Sequence, residues 1–479
     1  MKTIREIRQQ LDDKEISAIE LTEQFLDRIK KTNSQLNSFI TITEEQARKQ
    51  AAQAQKDINN GTQGRFTGIP YAAKDLFCTK GIRTTAGSKI LNEYIPPYSA
   101  TAIERCRDAV LLGKTNLDEF AMGSSNEYSV FGPCKNPYDL TRVSGGSSGG
   151  SAVAVASGQT LFAFGTDTGG SIRQPASFCN VVGFKPTYGR ISRYGVIALA
   201  SSLDTVGLFT RNIDDMAYVL QEVAGSDGLD STALEAPTEQ YSTFLGGDIK
   251  GLRIGIPKEY MEVEGFDPRI KQVCTDAIKK LEQLGASIAE ISLPNTKYSL
   301  PAYYVLNPAE ASSNLARYDG MQYGKPAKDT HSLEEVFLKT REEGFGAEVK
   351  RRIMIGTFCL SSGYYDAYYK KAQQVRTLVK QDFDQAFEKV DIIFTPVSPF
   401  VPFKIGERMA DPIAMYLADI FTIPADLAAT PALSLPAGFI DGLPTAVQII
   451  APQFQEGKVL QVSYALEQAL ALQSPALQL

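Results

Sequence analysis

Between Val143 and Thr187 the chain carries two glycine-rich turns that hold serine, and they constrain the rest of it. The first reads Val143-Ser144-Gly145-Gly146-Ser147-Ser148-Gly149-Gly150-Ser151, followed by small residues from Ala152 to Gly158. A short apolar run, Leu161 to Phe164, leads into the second, Gly165-Thr166-Asp167-Thr168-Gly169-Gly170-Ser171. Ser171 stands 24 residues after Ser147, with one helix-like and one strand-like segment between. Glycine costs backbone entropy, so this density marks positive φ angles or close approach of backbone to a ligand. Flexible Gly/Ser linkers are not interleaved with buried-looking apolar segments. Successive N–H groups in such a turn form an anion-binding concavity. Thr168, Gly169, Gly170 and Ser171 can therefore aim amides at an oxyanion while the Ser171 hydroxyl attacks.

Composition narrows the chemistry those serines can do. The chain has 479 residues, 43% hydrophobic and 22% charged, enough for a large core. A net charge of −6 without a basic block makes it a poor candidate for gripping nucleic acid by itself. Six cysteines, at 78, 106, 134, 179, 274 and 359, include no CxxC pair, which suits reduced thiols in the cytoplasm. No apolar run reaches the roughly 18 residues of a membrane helix, and MKTIREIRQQLDDKEIS lacks the apolar core of a signal peptide. The one histidine, His331, lies in the polar stretch Asp329-Thr330-His331-Ser332. Multi-histidine metal sites are excluded, and a Ser-His-Asp triad would have to use that residue.

Along the chain, Ser17 and Glu20 form a capping box for a helix whose face is Leu21, Phe25 and Ile29. A strand-like Ser38–Ile42 and a polar helix from about Glu44 to Ile58 complete a helical opening, residues 1–65, that lies over the core or meets a partner. Gly68 to Asp75 reads as a short strand bearing Lys74, which taken alone is more readily a surface lysine than a desolvated amine. Gly113-Lys114-Thr115 resembles the end of a phosphate-binding loop, but the required glycine five positions earlier is Asp108. Asn212 caps a helix to Val223; Asp267, Pro268 and Gly285 frame another with Ile270, Cys274, Ile278, Leu281 and Leu284 on its face. Further strands are expected at Leu252–Ile256, Ser287–Ile291, Asp391–Thr395, Leu433–Leu435 and Val447–Ile450, with helices between and a last one from Gly457 to Ala471. That alternation predicts an α/β protein with a mostly parallel sheet.

Gly145-Gly146-Ser147-Ser148-Gly149 satisfies GxSxG, a short pattern that needs a downstream histidine. The SxxK pattern is absent. A serine activated by lysine remains, a recognised variant of triad logic. Lys74 would have to be neutral, and burial can lower a lysine by up to ~3–5 pH units.

The motifs GGSSGGSAVAVASG and GTDTGGSIRQPASFCNVVGFKPTYGR, with isolated Lys74, closely resemble the amidase signature family over Gly68–Leu208. LDEFAMGSSNEYS, EVKRRIMIGTF, SSGYYDAYYKKAQQVR and YLADIFTIPADLAATPALSLPAG extend the likeness to its tRNA-dependent amidotransferase branch, over nearly the whole chain. The resemblance implies one amidase domain over 1–479, with a signature core at 66–210 and a central mixed sheet covered by helices on both faces. It implies Ser171 as nucleophile, Ser147 as bridging serine after a cis Gly146–Ser147 peptide, and Lys74 as base. Amides of Thr168, Gly169, Gly170 and Ser171 would form the oxyanion hole. Glutamine would be held by an arginine in the pair Arg351-Arg352, preferably Arg352, by Asp419, and by the hydroxyl of Tyr303 or Tyr304. No cofactor is implied in this chain. ATP and Mg²⁺ would be used by a heterotrimer in which this chain joins a larger tRNA-binding subunit plus a small third one. The alternative is a stand-alone amidase for another small amide.

Overall fold

The computed structural model describes residues 2–479. Its strands in chain order are β1 (Phe39–Ile42), β2 (Pro70–Lys74), β3 (Val110–Thr115), β4 (Lys135–Asn136), β5 (Asp139–Val143), β6 (Phe162–Asp167), β7 (Val182–Lys185), β8 (Thr205–Thr210), β9 (Arg253–Pro257), β10 (Ser287–Ile291), β11 (Ile392–Pro396), β12 (Ala432–Ile440) and β13 (Leu443–Ile450). β4 and β5 form a small hairpin, and the others make one 11-stranded sheet in the order β1-β3-β2-β6-β8-β7-β12-β13-β11-β9-β10. β2 runs parallel to β3 and β6, and β9 to β10 and β11. All other neighbours are antiparallel, so the sheet is mixed rather than mostly parallel. The antiparallel middle comes from β7 and β8, which periodicity does not announce. Val182-Gly183-Phe184-Lys185 is too short to alternate, and Gly207 interrupts Thr205–Thr210.

The strands nearest the site are buried on both faces, β2, β3, β6, β7 and β8 throughout. Burial at roughly 25 cal/mol per Å² of apolar surface is what holds such a stack together. The helix Gly149–Ala156 is built from Gly, Ser, Ala and Val because every residue in it is buried. Helices Ala18–Leu36 and Glu44–Asn60 pack together, and the second lies on β3. Ser17 and Glu20 close both halves of the expected capping box. The Ile4 N–H donates to Asp215 Oδ1 at 2.6 Å, tying the N-terminus back to the helix Ile213–Val223. In the helix Pro268–Gln283 the buried seam is Ile270, Cys274, Ala277 and Leu281. Leu284 lies beyond its end and is exposed, and Ile278 is only partly buried, because the seam follows the smaller Ala277. Tyr364, Tyr365 and Tyr368 are exposed, and Tyr364 and Tyr368 cluster with Phe358 on the surface instead of packing inward. No described helix is long and apolar enough to cross a membrane.

Candidate active site

β2 and β6 are parallel neighbours, so their carboxyl ends open side by side, the usual place for a site in such a sheet. Lys74 ends β2, and Thr166 and Asp167 end β6. Lys74 is fully buried. Its Nζ donates to Ser147 Oγ at 2.7 Å and to Thr166 Oγ1 at 2.8 Å. No carboxylate forms an ion pair with it among the described residues. Burial lowers the amine to about 7, against the pull of Asp118, Asp204 and Asp167. An amine at that value is half neutral near pH 7 and can accept a proton from the hydroxyl it touches.

Ser147 is held from both sides. Its carbonyl accepts the Asp118 N–H at 3.2 Å, and the Gly146 N–H ahead of it donates to Gln174 Oε1 at 3.0 Å. The Gly146–Ser147 peptide is cis. Gly146 is required by close approach, since a Cβ there would overlap Asp118 Oδ2 and the Asn126 amide.

Ser171 is the member that reaches the surface, at 9% exposure. Its carbonyl accepts the Ser148 N–H at 3.2 Å, and its hydroxyl has no partner among the described residues. The explicit side-chain bonds thus run Thr166–Lys74–Ser147 and leave Ser171 Oγ free.

Asp167 organises the turn before Ser171. It accepts the Gly170 N–H at 2.7 Å, the Ile172 N–H at 3.1 Å and the Arg173 guanidinium at 2.9 and 3.0 Å. Gly170 sits at φ +135°, and a Cβ there would overlap Thr422 Oγ1. This corrects one expectation. The Gly170 amide points inward to Asp167 and is not available to an oxyanion, because the turn needs it as its own clasp. The amides of Thr168, Gly169 and Ser171 carry no partner among the described residues. Thr168 is tied by its hydroxyl to Asp204 at 2.8 Å.

Beneath the turn, Arg173 is fully buried and also donates to Asp426 Oδ2 at 2.5 Å, Gln448 Oε1 at 2.6 Å and the Thr422 carbonyl at 2.9 Å. Burial pushes Asp167 up, but the adjacent Arg173 charge outweighs it and holds that carboxyl well below the usual range. Asp426, with one oxygen unpartnered, is pushed well up by burial. Sequence reading missed this cluster. Asp167 and Arg173 flank the turn and are its one local signal; Asp426 and Gln448 arrive from more than 250 residues away.

Two further groups stand beside the turn. Asp419 is buried; its Oδ2 accepts from the Ser124 hydroxyl and its Oδ1 has no partner. That oxygen would lie 3.4 Å from a Cβ on Gly170, so it faces the serine turn. Burial pushes the carboxyl up to about 8, with the Ser124 hydrogen bond opposing. Arg352, on the helix Ala347–Leu360, is also buried. Its Nε donates to Glu348 Oε1 at 2.8 Å, and its guanidinium lies 5.6 Å from the Tyr304 ring centroid and 5.8 Å from that of Tyr416. Arg351 also pairs with Glu348, from a side chain 40% exposed. Arg352 is therefore the one that faces inward, and its counter-ion is Glu348, not Asp419. Tyr303 lies over Gly169, its hydroxyl accepting from Asn307 Nδ2 at 3.2 Å; Tyr304 stacks on Tyr416 at 3.7 Å.

His331 is exposed and uses its backbone N–H on Glu335. Lys114 is buried against Asp75 at 3.2 Å and donates to Phe77 O and Thr84 Oγ1, an internal cation with no phosphate-facing role.

Residues 20–460 match the model of the Amidase family. The chain belongs to the amidase family. It is 55% identical over 469 residues to the A-subunit of the glutamyl-tRNA(Gln) amidotransferase of Thermoanaerobacter pseudethanolicus, covering 98% of this amidase and 96% of that one. The A-subunit of the same enzyme from a Geobacter species is 53% identical over 468 residues, covering 97% and 96%. Among solved structures, the glutamyl-tRNA(Gln) amidotransferase A-subunit from Thermotoga maritima superposes with a TM-score of 0.80 at 41% identity, covering 96% and 92%. The peptide amidase of Stenotrophomonas maltophilia superposes at 0.84 with 28% identity, covering 99% and 98%. The amidase thus shares its fold with relatives whose names carry different activities.

Proposed function

We propose that this chain is the glutamine-hydrolysing subunit of a tRNA-dependent amidotransferase, working through Lys74, Ser147 and Ser171. The observation that carries the reading is the buried Lys74–Ser147 hydrogen bond at 2.7 Å, beneath a turn that leaves Ser171 Oγ free. Neutral Lys74 takes the Ser147 proton, Ser147 takes that of Ser171, and Ser171 Oγ attacks the side-chain amide carbon of glutamine. The free amides of Thr168, Gly169 and Ser171 receive the oxyanion, each worth about 2.7–4 kcal/mol where such donors have been removed. Collapse returns the proton to the leaving nitrogen, expelling ammonia and leaving a glutamyl ester on Ser171. Water hydrolyses the ester, with the same relay reversed, to give glutamate.

Substrate choice rests on Asp419 and Arg352. The unpartnered Asp419 Oδ1 suits an α-ammonium, and the guanidinium of Arg352, with Glu348 occupying one side, suits an α-carboxylate. Tyr303 supplies a hydroxyl over Gly169. The zwitterionic end of glutamine matches this pair, whereas an uncharged amide leaves both charges unused. The names of the relatives support Glu-tRNA(Gln) as the acceptor; Asp-tRNA(Asn) is the second acceptor the proposal admits. The whole chain would act as one catalytic domain, with a larger subunit holding tRNA, ATP and Mg²⁺ and a small third subunit beside it. Ammonia would pass between active sites under cover, since water at neutral pH would protonate it. Ammonia release from glutamine, compared with release from an uncharged amide such as propionamide, tests the reading. A strong preference for glutamine is expected; equal kcat/KM on both would favour a stand-alone amidase.

A further inference from the structure

At the opposite end of the helix Gly149–Ala156 from Ser147, about 12 Å away by helical rise, a cavity of about 440 Å³ opens. It uses none of the residues of the catalytic turns. Its charged lining is Arg28, Arg211 and Glu467. Each arginine caps the helix end with one donor, Arg28 Nε to Ser157 O at 3.0 Å and Arg211 Nη2 to Ala156 O at 2.9 Å. Neither has a carboxylate partner among the described residues, and the buried Arg211 Nε donates to nothing. Two guanidinium groups facing one cavity with no carboxylate in ion-pair contact repel each other, and Arg28 adds to the burial that lowers Arg211. The lining also holds Asn180, whose Nδ2 donates to Tyr138 and Ser474 while its buried Oδ1 accepts from nothing. The remaining surface is apolar and includes Leu435, Leu470, Leu472 and Leu477. Buried donors and acceptors left open in this way are costly unless a ligand completes them.

We infer that this cavity binds a small ligand combining one carboxylate, one N–H donor and an apolar side chain, the chemistry of an N-acylated apolar amino acid or of a peptide's C-terminal residue. The carboxylate lies between Arg28 and Arg211, where guanidinium forks match its geometry. The N–H donates to Asn180 Oδ1, and the side chain enters the leucine-lined part. Burial pushes Glu467 up to about 7, so near neutral pH the lining carries between one and two net positive charges, which a carboxylate offsets. The volume lies in the range of small-ligand sites, roughly 300–1,000 Å³.

Calorimetric titration of the full chain with N-acetyl-leucine tests this. Saturable binding is expected, falling at least about tenfold, roughly one lost charged contact, in Arg211→Gln and in Arg28→Gln. Both variants should keep wild-type kcat on glutamine, which reports that they fold. Arg28 is on a partly exposed helix, so Arg28→Gln carries the test if Arg211→Gln does not fold. N-acetyl-leucinamide, lacking the charge, and 4-methylpentanoate, lacking the N–H, should bind more weakly. N-acetyl-Gly-Gly-Leu distinguishes the sources: tighter binding than N-acetyl-leucine assigns the site to a peptide C-terminus, and weaker binding to a free acyl amino acid. No heat at millimolar N-acetyl-leucine, equal binding of the amide, or unchanged affinity in both arginine variants would overturn the inference.

Discussion

Two ionisations near neutrality follow from burial at single residues, and they fall on different kinetic constants. Lys74 at about 7 must be neutral to accept a proton, so kcat should fall as pH drops below about 7. Asp419 at about 8 must be ionised to meet an ammonium, so kcat/KM, which reports the free enzyme, should carry a second rise near pH 8. Bound substrate supplies the missing counter-charge and removes that second step from kcat. Asp419→Asn should abolish the upper step and leave the lower one, as pH profiles on glutamine would show. Stability follows the same sign for Lys74. Its folded value lies below the unfolded one, so the folded state binds fewer protons across the window between, and stability rises with pH from about 7 towards the ordinary lysine value. On substrates, Arg352→Ala and Asp419→Ala should each cost about 2–5 kcal/mol in kcat/KM for glutamine and far less for propionamide. Equal losses on both would assign these residues to the fold.

At the scale of elements, the serine turn is held by a clasp of backbone amides on Asp167 and by the buried Arg173 beneath it. Asp426→Ala removes a buried acceptor of that guanidinium, and leaving a buried donor unsatisfied costs about 1–3 kcal/mol. Chemical denaturation should show a loss of that order. Gly170→Ala should reduce kcat sharply with little change in KM, because φ +135° and the nearby Thr422 leave no room for a Cβ beside Ser171. The same elements show what a sequence can and cannot announce. The two turns, the capping box at Ser17 and the helix from Pro268 are legible because their signals are local: glycine density, a cap three residues from its partner, a proline at a helix start. β7, β8 and the helix Arg173–Cys179 are not, since strands buried on both faces lose their alternation and a seven-residue helix containing Pro175 has too little period. Lys74 reads alone as a surface residue; only the parallel pairing of β2 with β6 puts it under Ser147. The inward Gly170 amide and the Asp426–Gln448 support depend on contacts that no local pattern encodes.

For the whole molecule, one sheet brings the end of β2, the two serine turns and the segment around Asp419 together, so in the proposed function a single chain supplies every group that glutamine hydrolysis needs. It carries no basic stripe for tRNA, and the phosphate-loop-like Lys114 is buried against Asp75. Alone, it should release ammonia from glutamine but convert no Glu-tRNA(Gln), even with ATP present; transamidation by the purified single chain would contradict the division of labour. Ser171, relayed through Ser147 to a neutral Lys74, is expected to form the acyl-enzyme. The most direct measurement is mass spectrometry of the intact protein and its peptides, quenched during turnover of glutamine. A glutamyl ester on Ser171 is expected that is absent in Ser171→Ala, strongly reduced in Lys74→Ala and unchanged in His331→Ala. An ester on Ser147, or an adduct that depends on His331 and survives loss of Lys74, would contradict it.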